Sequence, residues 1–199
     1  MATLGAVTAG LRERKKDATR LALHRSAVRL AIEHGAERVT VEAIADDAGV
    51  SRRTFSNYFA NKEQALLHGD FERMRRLTEA VRERPPAEPA WTALTAAAER
   101  FYGDLGDLDP EAVQRWRLVR RHPALAAQHV HTFAALEQEL SAAIAERVPD
   151  PLRARLRAAT YLATLRVSLD AWLDTPETSL ATLVRRALAL TAGGFAEDL

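Results

Sequence analysis

The stretch that most constrains how this chain can fold runs from Thr40 to Lys62, TVEAIADDAGVSRRTFSNYFANK. Thr40 can cap a short helix, because its hydroxyl can accept a hydrogen bond from a free backbone N–H of the first turn. Val41, Ile44, Ala45 and Ala48 then fall on one face at helical spacing. Gly49 stands where a tight turn needs a residue that tolerates positive φ, Val50 fills the corner, and Ser51 caps a second helix. That helix carries Phe55 and Phe59, four apart, on its core side, and shows Arg52, Arg53, Thr54, Asn57 and Tyr58 on the other. Two short helices about a glycine turn, with the second cationic and polar toward solvent, make a helix-turn-helix suited to a DNA major groove.

The segment TVEAIADDAGVSRRTFSNYFANKEQAL resembles the DNA-binding signature of the TetR family of bacterial transcriptional regulators. The resemblance rests on the T-V-x-x-I-A opening, A-G-V-S at the turn, T-F-x-x-Y-F in the recognition helix and N-K-E after it. Upstream, Ala27, Leu30, Ala31 and Ile32, with Gly35 as helix stop, fit as well, and the match extends to about Arg73. It implies an all-α, nine-helix architecture: an N-terminal three-helix helix-turn-helix DNA-binding domain and a C-terminal helical ligand-binding and dimerisation domain. It also implies a homodimeric repressor on a palindromic double-stranded DNA operator, released by a small-molecule effector.

Roles within the motif follow from residue chemistry. Arg52 and Arg53 open the recognition helix; one is expected to grip guanine with two hydrogen bonds, the other to pair with phosphate. Thr54 can offer its methyl to thymine or its hydroxyl to the backbone, and Asn57 can read adenine or bind phosphate. Tyr58, Thr40 and Lys62 are expected phosphate anchors, helped by the helix N-termini at Thr40 and Asn61. Ser56 departs from the family pattern, which usually has an aromatic residue there that contacts the backbone, so the operator cannot be inferred by analogy.

Charge supports this placement. The net charge of the 199-residue chain is only +1, yet eleven basic residues outnumber seven acidic ones up to Lys62, a modest electrostatic footprint for phosphate. Zero cysteine excludes disulfides and thiolate metal sites. No apolar run reaches the ~18 residues needed to span a bilayer. MATLGAVTAGLRERKK places its basic residues after its mildly apolar part, the wrong order for a secretory signal. A cytoplasmic protein with no membrane partner is expected.

Helical patterning continues throughout. A flexible basic arm (1–12) precedes a DNA-binding domain over 13–73, whose first helix is expected from about Asp17 to His34, and whose motif spans 40–59. Asn61 caps a long helix through Lys62, Leu66, Phe71, Met74 and Leu77, which RPPAEP (84–89) ends. The second domain, 74–199, should hold helices near Ala90–Tyr102, Pro110–Arg121, Pro123–Val148, Pro151–Leu173 and Glu177–Ala196, broken at GDLGDLDP, HP, PDP and DTPE.

Between Ala158 and Leu173 the sequence is apolar nearly all the way round, so that helix should be buried on more than one side. With the last helix it can supply half of an intermolecular four-helix bundle, using Ala159, Ala163, Leu180, Leu183, Val184, Ala187 and Leu188; the plain alternative is that both helices only close their own core. Candidate effector contacts are Phe101, Trp116, Arg120, Phe133, Tyr161, Arg166 and Asp170, with Trp91, Tyr102 and Trp172 as further aromatic lining, although any one aromatic is more often plain core than pocket wall. Arg166 and Asp170 sit four apart inside the apolar helix, where charge is costly unless paired. They can neutralise each other or bridge the dimer, or Arg166 or Arg120 can meet an anionic head group. RWRLVRRHPALAAQHVHTFAALEQEL is distantly similar to TetR-type regulators that respond to acyl-CoA thioesters.

Two other classes compete. A DNA-binding dimer without a ligand switch has the same sequence features. A helical metal-dependent enzyme would have to use His122, His129 and His131, but His129 and His131 point about 200° apart on a helix. No G-x-S-x-G, phosphate-cradling glycine loop or H-E-x-x-H is present. No enzyme activity and no cofactor or metal is expected.

Overall fold

The computed structural model describes residues 3–105, 110–175 and 177–194, with side chains from residue 12 onward except 105–112. Among them are nine helices and no strand: α1 (Thr3–His34), α2 (Val41–Asp47), α3 (Arg52–Ser56), α4 (Lys62–Arg82), α5 (Ala90–Leu105), α6 (Pro110–Arg121), α7 (Pro123–Ala145), α8 (Pro151–Asp174) and α9 (Leu180–Ala192). Prolines open α6, α7 and α8, where the missing N–H has no intrahelical acceptor to lose. Asp150 caps α8 by accepting from Leu152 N at 2.9 Å and Arg153 N at 3.4 Å, and Ser179 caps α9. The expected break at GDLGDLDP and the end of the last helix at Ala196 lie partly outside the described residues.

The first helix differs from expectation. It begins at Thr3 rather than near Asp17, so residues 3–12 are not an irregular arm. The physical reason is visible at Arg12 to Ala18, which are exposed on every side. A segment that buries nothing has no apolar periodicity to reveal it, although Arg, Lys, Glu and Ala are strong helix formers.

The chain divides into two compact units, one of Met1–Phe71 with Gln114–His129, the other of Glu72–Val113 with Val130–Leu199. The first has a core of Leu23, Ala27, Val28 and Ala31 from α1, Ile44 and Ala45 from α2, Phe55 from α3, Phe59, and Ala65, Leu66 and Leu67 from α4. Val119 of α6 and Leu125 of α7 join it. Arg115 of α6 donates twice to the Asp70 carboxylate of α4, at 2.8 and 3.2 Å, with both side chains buried.

In the second unit α8 buries Ala154, Ala158, Tyr161, Leu165 and Trp172, and α9 buries Leu180, Val184 and Leu188. Thr164 and Thr191 hydroxyls link these two helices at 3.1 Å. Arg147 closes the end of α4, donating to the carbonyls of Val81 at 3.0 Å and Arg84 at 2.6 Å, which satisfies carbonyls that a helix C-terminus otherwise leaves open.

Candidate nucleic-acid interface

The helix-turn-helix is built from local hydrogen bonds. Thr40 Oγ1 accepts from Ala43 N at 3.1 Å to start α2. Gly49 turns the chain at φ +67°, and Gly35 ends α1 at φ +85°, left-handed conformations where a side chain would be strained. Ser51 Oγ accepts from Thr54 N at 3.1 Å and lies 2.9 Å from the Thr54 hydroxyl, fixing the first turn of α3. Asn61 Oδ1 accepts from Gln64 N at 2.8 Å and starts α4. Arg29 of α1 pairs with both Glu33 and Asp47, tying α1 to the end of α2; hydrogen bonds from Ser26 and then Arg29 hold the Asp47 carboxyl below its usual range.

The back of α3 is seated by Phe55 and Phe59, both buried, with ring centroids 5.8 Å apart. Their burial stabilises the seat by roughly 1.5–3 kcal/mol each. The opposite side is open: Arg52, Arg53 and Asn57 are exposed, and Thr54 and Tyr58 are half-buried. Arg52 pairs loosely with Glu42 at 3.1 Å across exposed surface. Arg53 makes no ion pair among the described residues. The Arg20 guanidinium of α1 lies over the Tyr58 ring, 5.8 Å from its centroid. Ser56 turns its hydroxyl back to the Arg52 carbonyl at 3.2 Å.

Lys62 is tied to the loop that follows α1. Its Nζ donates to the carbonyls of Ala36 at 2.9 Å, Val39 at 2.8 Å and Glu37 at 3.3 Å. An ammonium has three hydrogens, so the group can serve all three carbonyls and hold the loop after α1. The signal that could have suggested this is the run of unpaired carbonyls that must follow Gly35.

Deeper in the same unit, His24 donates from Nδ1 to the Ala65 carbonyl at 2.8 Å, and a Cβ at Gly69 would stand only 2.5 Å from its Nε2. Burial lowers the His24 pKa to about 4 despite that backbone bond, so the ring is neutral near pH 7.

Residues 23–68 match the model of bacterial regulatory proteins of the tetR family, and residues 88–196 match that of the MftR C-terminal domain. The HTH-type transcriptional regulator TcmR of Streptomyces glaucescens is 33% identical over 184 residues, covering 87% of this chain and 81% of TcmR. The chain belongs to the TetR family.

Solved structures agree with that fold. The triclosan complex of SmeT, repressor of a Stenotrophomonas maltophilia multidrug efflux pump, is 20% identical with a TM-score of 0.63, covering 89% of this chain and 91% of SmeT. Thermus thermophilus FadR, a TetR-family repressor in complex with lauroyl-CoA, is 26% identical with a TM-score of 0.55, covering 86% and 92%.

In this TetR-family chain the expected effector residues belong to both units. Trp116 and Arg120 belong to the first unit, where Trp116 meets His129 edge-on at 5.3 Å and Arg120 is exposed. His122 faces Glu37 at 3.8 Å. Phe101, Phe133, Tyr161, Arg166 and Asp170 belong to the second unit. Tyr161 is core rather than pocket wall: it is fully buried, donates to the Leu94 carbonyl at 3.0 Å and packs edge-on against Trp91. Arg166 and Asp170 are not in a buried setting in the chain; they pair at 3.3 Å with side chains 51% and 37% exposed. Phe101 does line a groove of about 480 Å³ between α4 and α5, with Ala80, Ala96 and Ala97 beside it and Arg76, Glu83, Arg84, Arg100 and Asp104 as its polar lining.

The expected bundle residues divide by face. Leu180, Val184 and Leu188 point into the chain's own core, which corrects their assignment to an intermolecular contact. Ala159, Leu183 and Ala187 are half-buried and Ala163 is exposed. On α8 the exposed side also carries Leu152, Leu156 (57% exposed) and Val167 (53%), and on α9 it carries Leu190. At 100° per residue Leu152, Leu156, Ala159, Ala163 and Val167 form one stripe, interrupted toward its C-terminal end by the exposed Arg166–Asp170 pair, so among the described residues α8 has an apolar stretch that its own unit leaves largely uncovered.

Proposed function

We propose that this chain is a cytoplasmic, homodimeric transcriptional repressor that reads a palindromic operator through α3 and releases it when a small amphiphilic effector binds the second unit. The observation that carries the DNA reading is the asymmetry of α3, whose buried Phe55 holds a helix that presents Arg52, Arg53 and Asn57 to solvent. Arg52 or Arg53 takes guanine, the other takes phosphate, Asn57 takes adenine or phosphate, and Thr54, Tyr58 and the capped start of α2 at Thr40 position the backbone. Ser51 acts through the cap that aims Arg52 and Arg53.

Support for the dimer is the uncovered stripe of α8, continued by Leu183, Ala187 and Leu190 of α9. Covering it with a second copy removes exposed leucine and valine from water and brings two recognition helices into one assembly. The groove beside Phe101 offers Ala80, Ala96 and Ala97 to an apolar body, and its arginines are balanced by Glu83 and Asp104 and by the Arg84–Glu88 and Arg100–Asp104 pairs, so it suits an amphiphilic ligand without selecting an anionic one. Triclosan and lauroyl-CoA, named for SmeT and FadR, mark the range from compact aromatic to acyl thioester.

The test is selection of bound genome fragments by the purified protein, followed by anisotropy on the enriched duplex and light scattering on the free protein. A palindrome bound in preference to unrelated DNA, a mass of two chains, and loss of that preference in Arg52→Ala/Arg53→Ala are expected. Unchanged preference in the double variant would remove α3 from the reading.

A further inference from the structure

The start of α1 lies outside every role assigned so far. Arg12 to Ala18 are exposed, and from Arg12 onward the first buried side chain is that of Leu23. A helical segment without a buried face has little to hold it in isolation. Its composition points to a partner. At 100° per residue Lys15, Arg12, Lys16 and Arg20 share one arc of about 140°, and Glu13 and Asp17 fall beside it. Arg12 and Lys15 have no ion-pair partner among the described residues. Lys16 and Arg20 touch Glu13 and Asp17 only at 3.5 and 3.9 Å.

The stripe is continuous with the candidate DNA surface, because Arg20 at its lower end sits over Tyr58, just past α3. From Arg12 to Arg20 the helix rises about 12 Å. Along duplex DNA that length passes three to four phosphates of one strand, at ~3.4 Å each along the axis. Between Arg12 and Arg20 there is no large apolar side chain, so this stretch lacks the apolar face with which an interfacial helix enters a bilayer.

We propose that the exposed start of α1 is a second DNA-binding element, which lays Arg12, Lys15 and Lys16 on phosphates flanking the bases read by α3. It rests on the reading that α3 faces DNA. Phosphate contacts carry no base information, so the element raises affinity for all duplexes and leaves sequence preference to α3.

The test uses the full-length protein with Arg12→Ala, Lys15→Ala and Lys16→Ala together. Alanine keeps helix propensity, and circular dichroism checks that helix content is retained. Anisotropy is measured across a salt series on the enriched operator and on an unrelated duplex of equal length. Three lost phosphate contacts should lower the slope of log affinity against log salt by about 3 per protomer. Affinity for the two duplexes should fall by the same factor, and hydroxyl-radical protection should shrink at the flanks. An unchanged slope and footprint would overturn the proposal. So would loss of binding to phosphatidylserine vesicles with no change on DNA, which would assign the stripe to a membrane surface. If Arg52→Ala/Arg53→Ala keeps its operator preference while the triple variant loses slope, the α3 reading fails and the α1 element stands.

Discussion

In the N-terminal unit the polar groups that build the helix-turn-helix are tied to particular atoms, whereas the C-terminal unit is assembled mainly from interchangeable apolar contacts. Thr40, Ser51 and Asn61 each cap one helix, Lys62 holds three carbonyls, and His24 holds one. In the second unit Leu, Ala and Val fill most of the core, and Trp91 Nε1 and Arg147 Nε are buried with no partner. The contrast suits two tasks. Base-reading side chains must be held to within about 0.5 Å, which directional bonds achieve. A unit held by packing instead tolerates volume-conserving rearrangement, as the proposed entry of an effector requires.

The largest effect should come from breaking the directional network at its buried ion pair. Asp70→Ala leaves Arg115 charged and unpaired among apolar side chains, and should destabilise the first unit by about 3–5 kcal/mol. Replacing both partners with leucine and methionine should recover most of that loss in urea unfolding. If the single variant unfolds like the parent, the pair is not what fastens α6 to α4.

Acid should act on the first unit through His24. Below pH 6.5 the unfolded chain takes up a proton that the folded ring refuses until about pH 4. Stability present above pH 6.5 is therefore lost as the pH falls toward 4, by about 3 kcal/mol at most. Thermal melts of the parent should fall across that window, and His24→Gln should flatten the dependence.

The smallest effects sharpen the comparison most. Ser51 and Ser179 are matched caps: each accepts from the threonine N–H three residues on and lies 2.9 Å from that threonine's hydroxyl. Replacing either by alanine should cost about 1 kcal/mol of stability. Only Ser51→Ala should also weaken operator binding in anisotropy, because only that cap starts the helix proposed to read bases. Equal binding by both variants would mean that α3 tolerates imprecision.

The parts of the fold legible in the sequence are those written in local chemistry. Thr40, Ser51 and Asn61 announce caps, Gly35 and Gly49 announce left-handed turns, and prolines at 110, 123 and 151 announce helix starts. Contacts between residues far apart left no such signal. Lys62 meets carbonyls 23 to 26 positions earlier, and Arg115 meets Asp70 across 45. Periodicity marked the apolar stripe of α9 but could not say which neighbour it would meet, so Leu180, Val184 and Leu188 read as intermolecular when they close the chain's own core. The same ambiguity left Tyr161 between core and pocket wall and read Arg166 into a buried setting, since an apolar composition does not tell the covered face from the bare one.

The recognition helix has five residues. That is well below the ~12–15 at which an isolated helix begins to persist in water. Its shape is therefore a property of the folded unit, imposed by Phe55, Phe59 and the Ser51 cap, and has no independent existence to fall back on. Heating or denaturant should not fray DNA reading gradually while the rest of the unit stays intact. Operator recognition should disappear in the same cooperative transition as the core beneath it, which makes the melting temperature of that unit the upper limit of gene control.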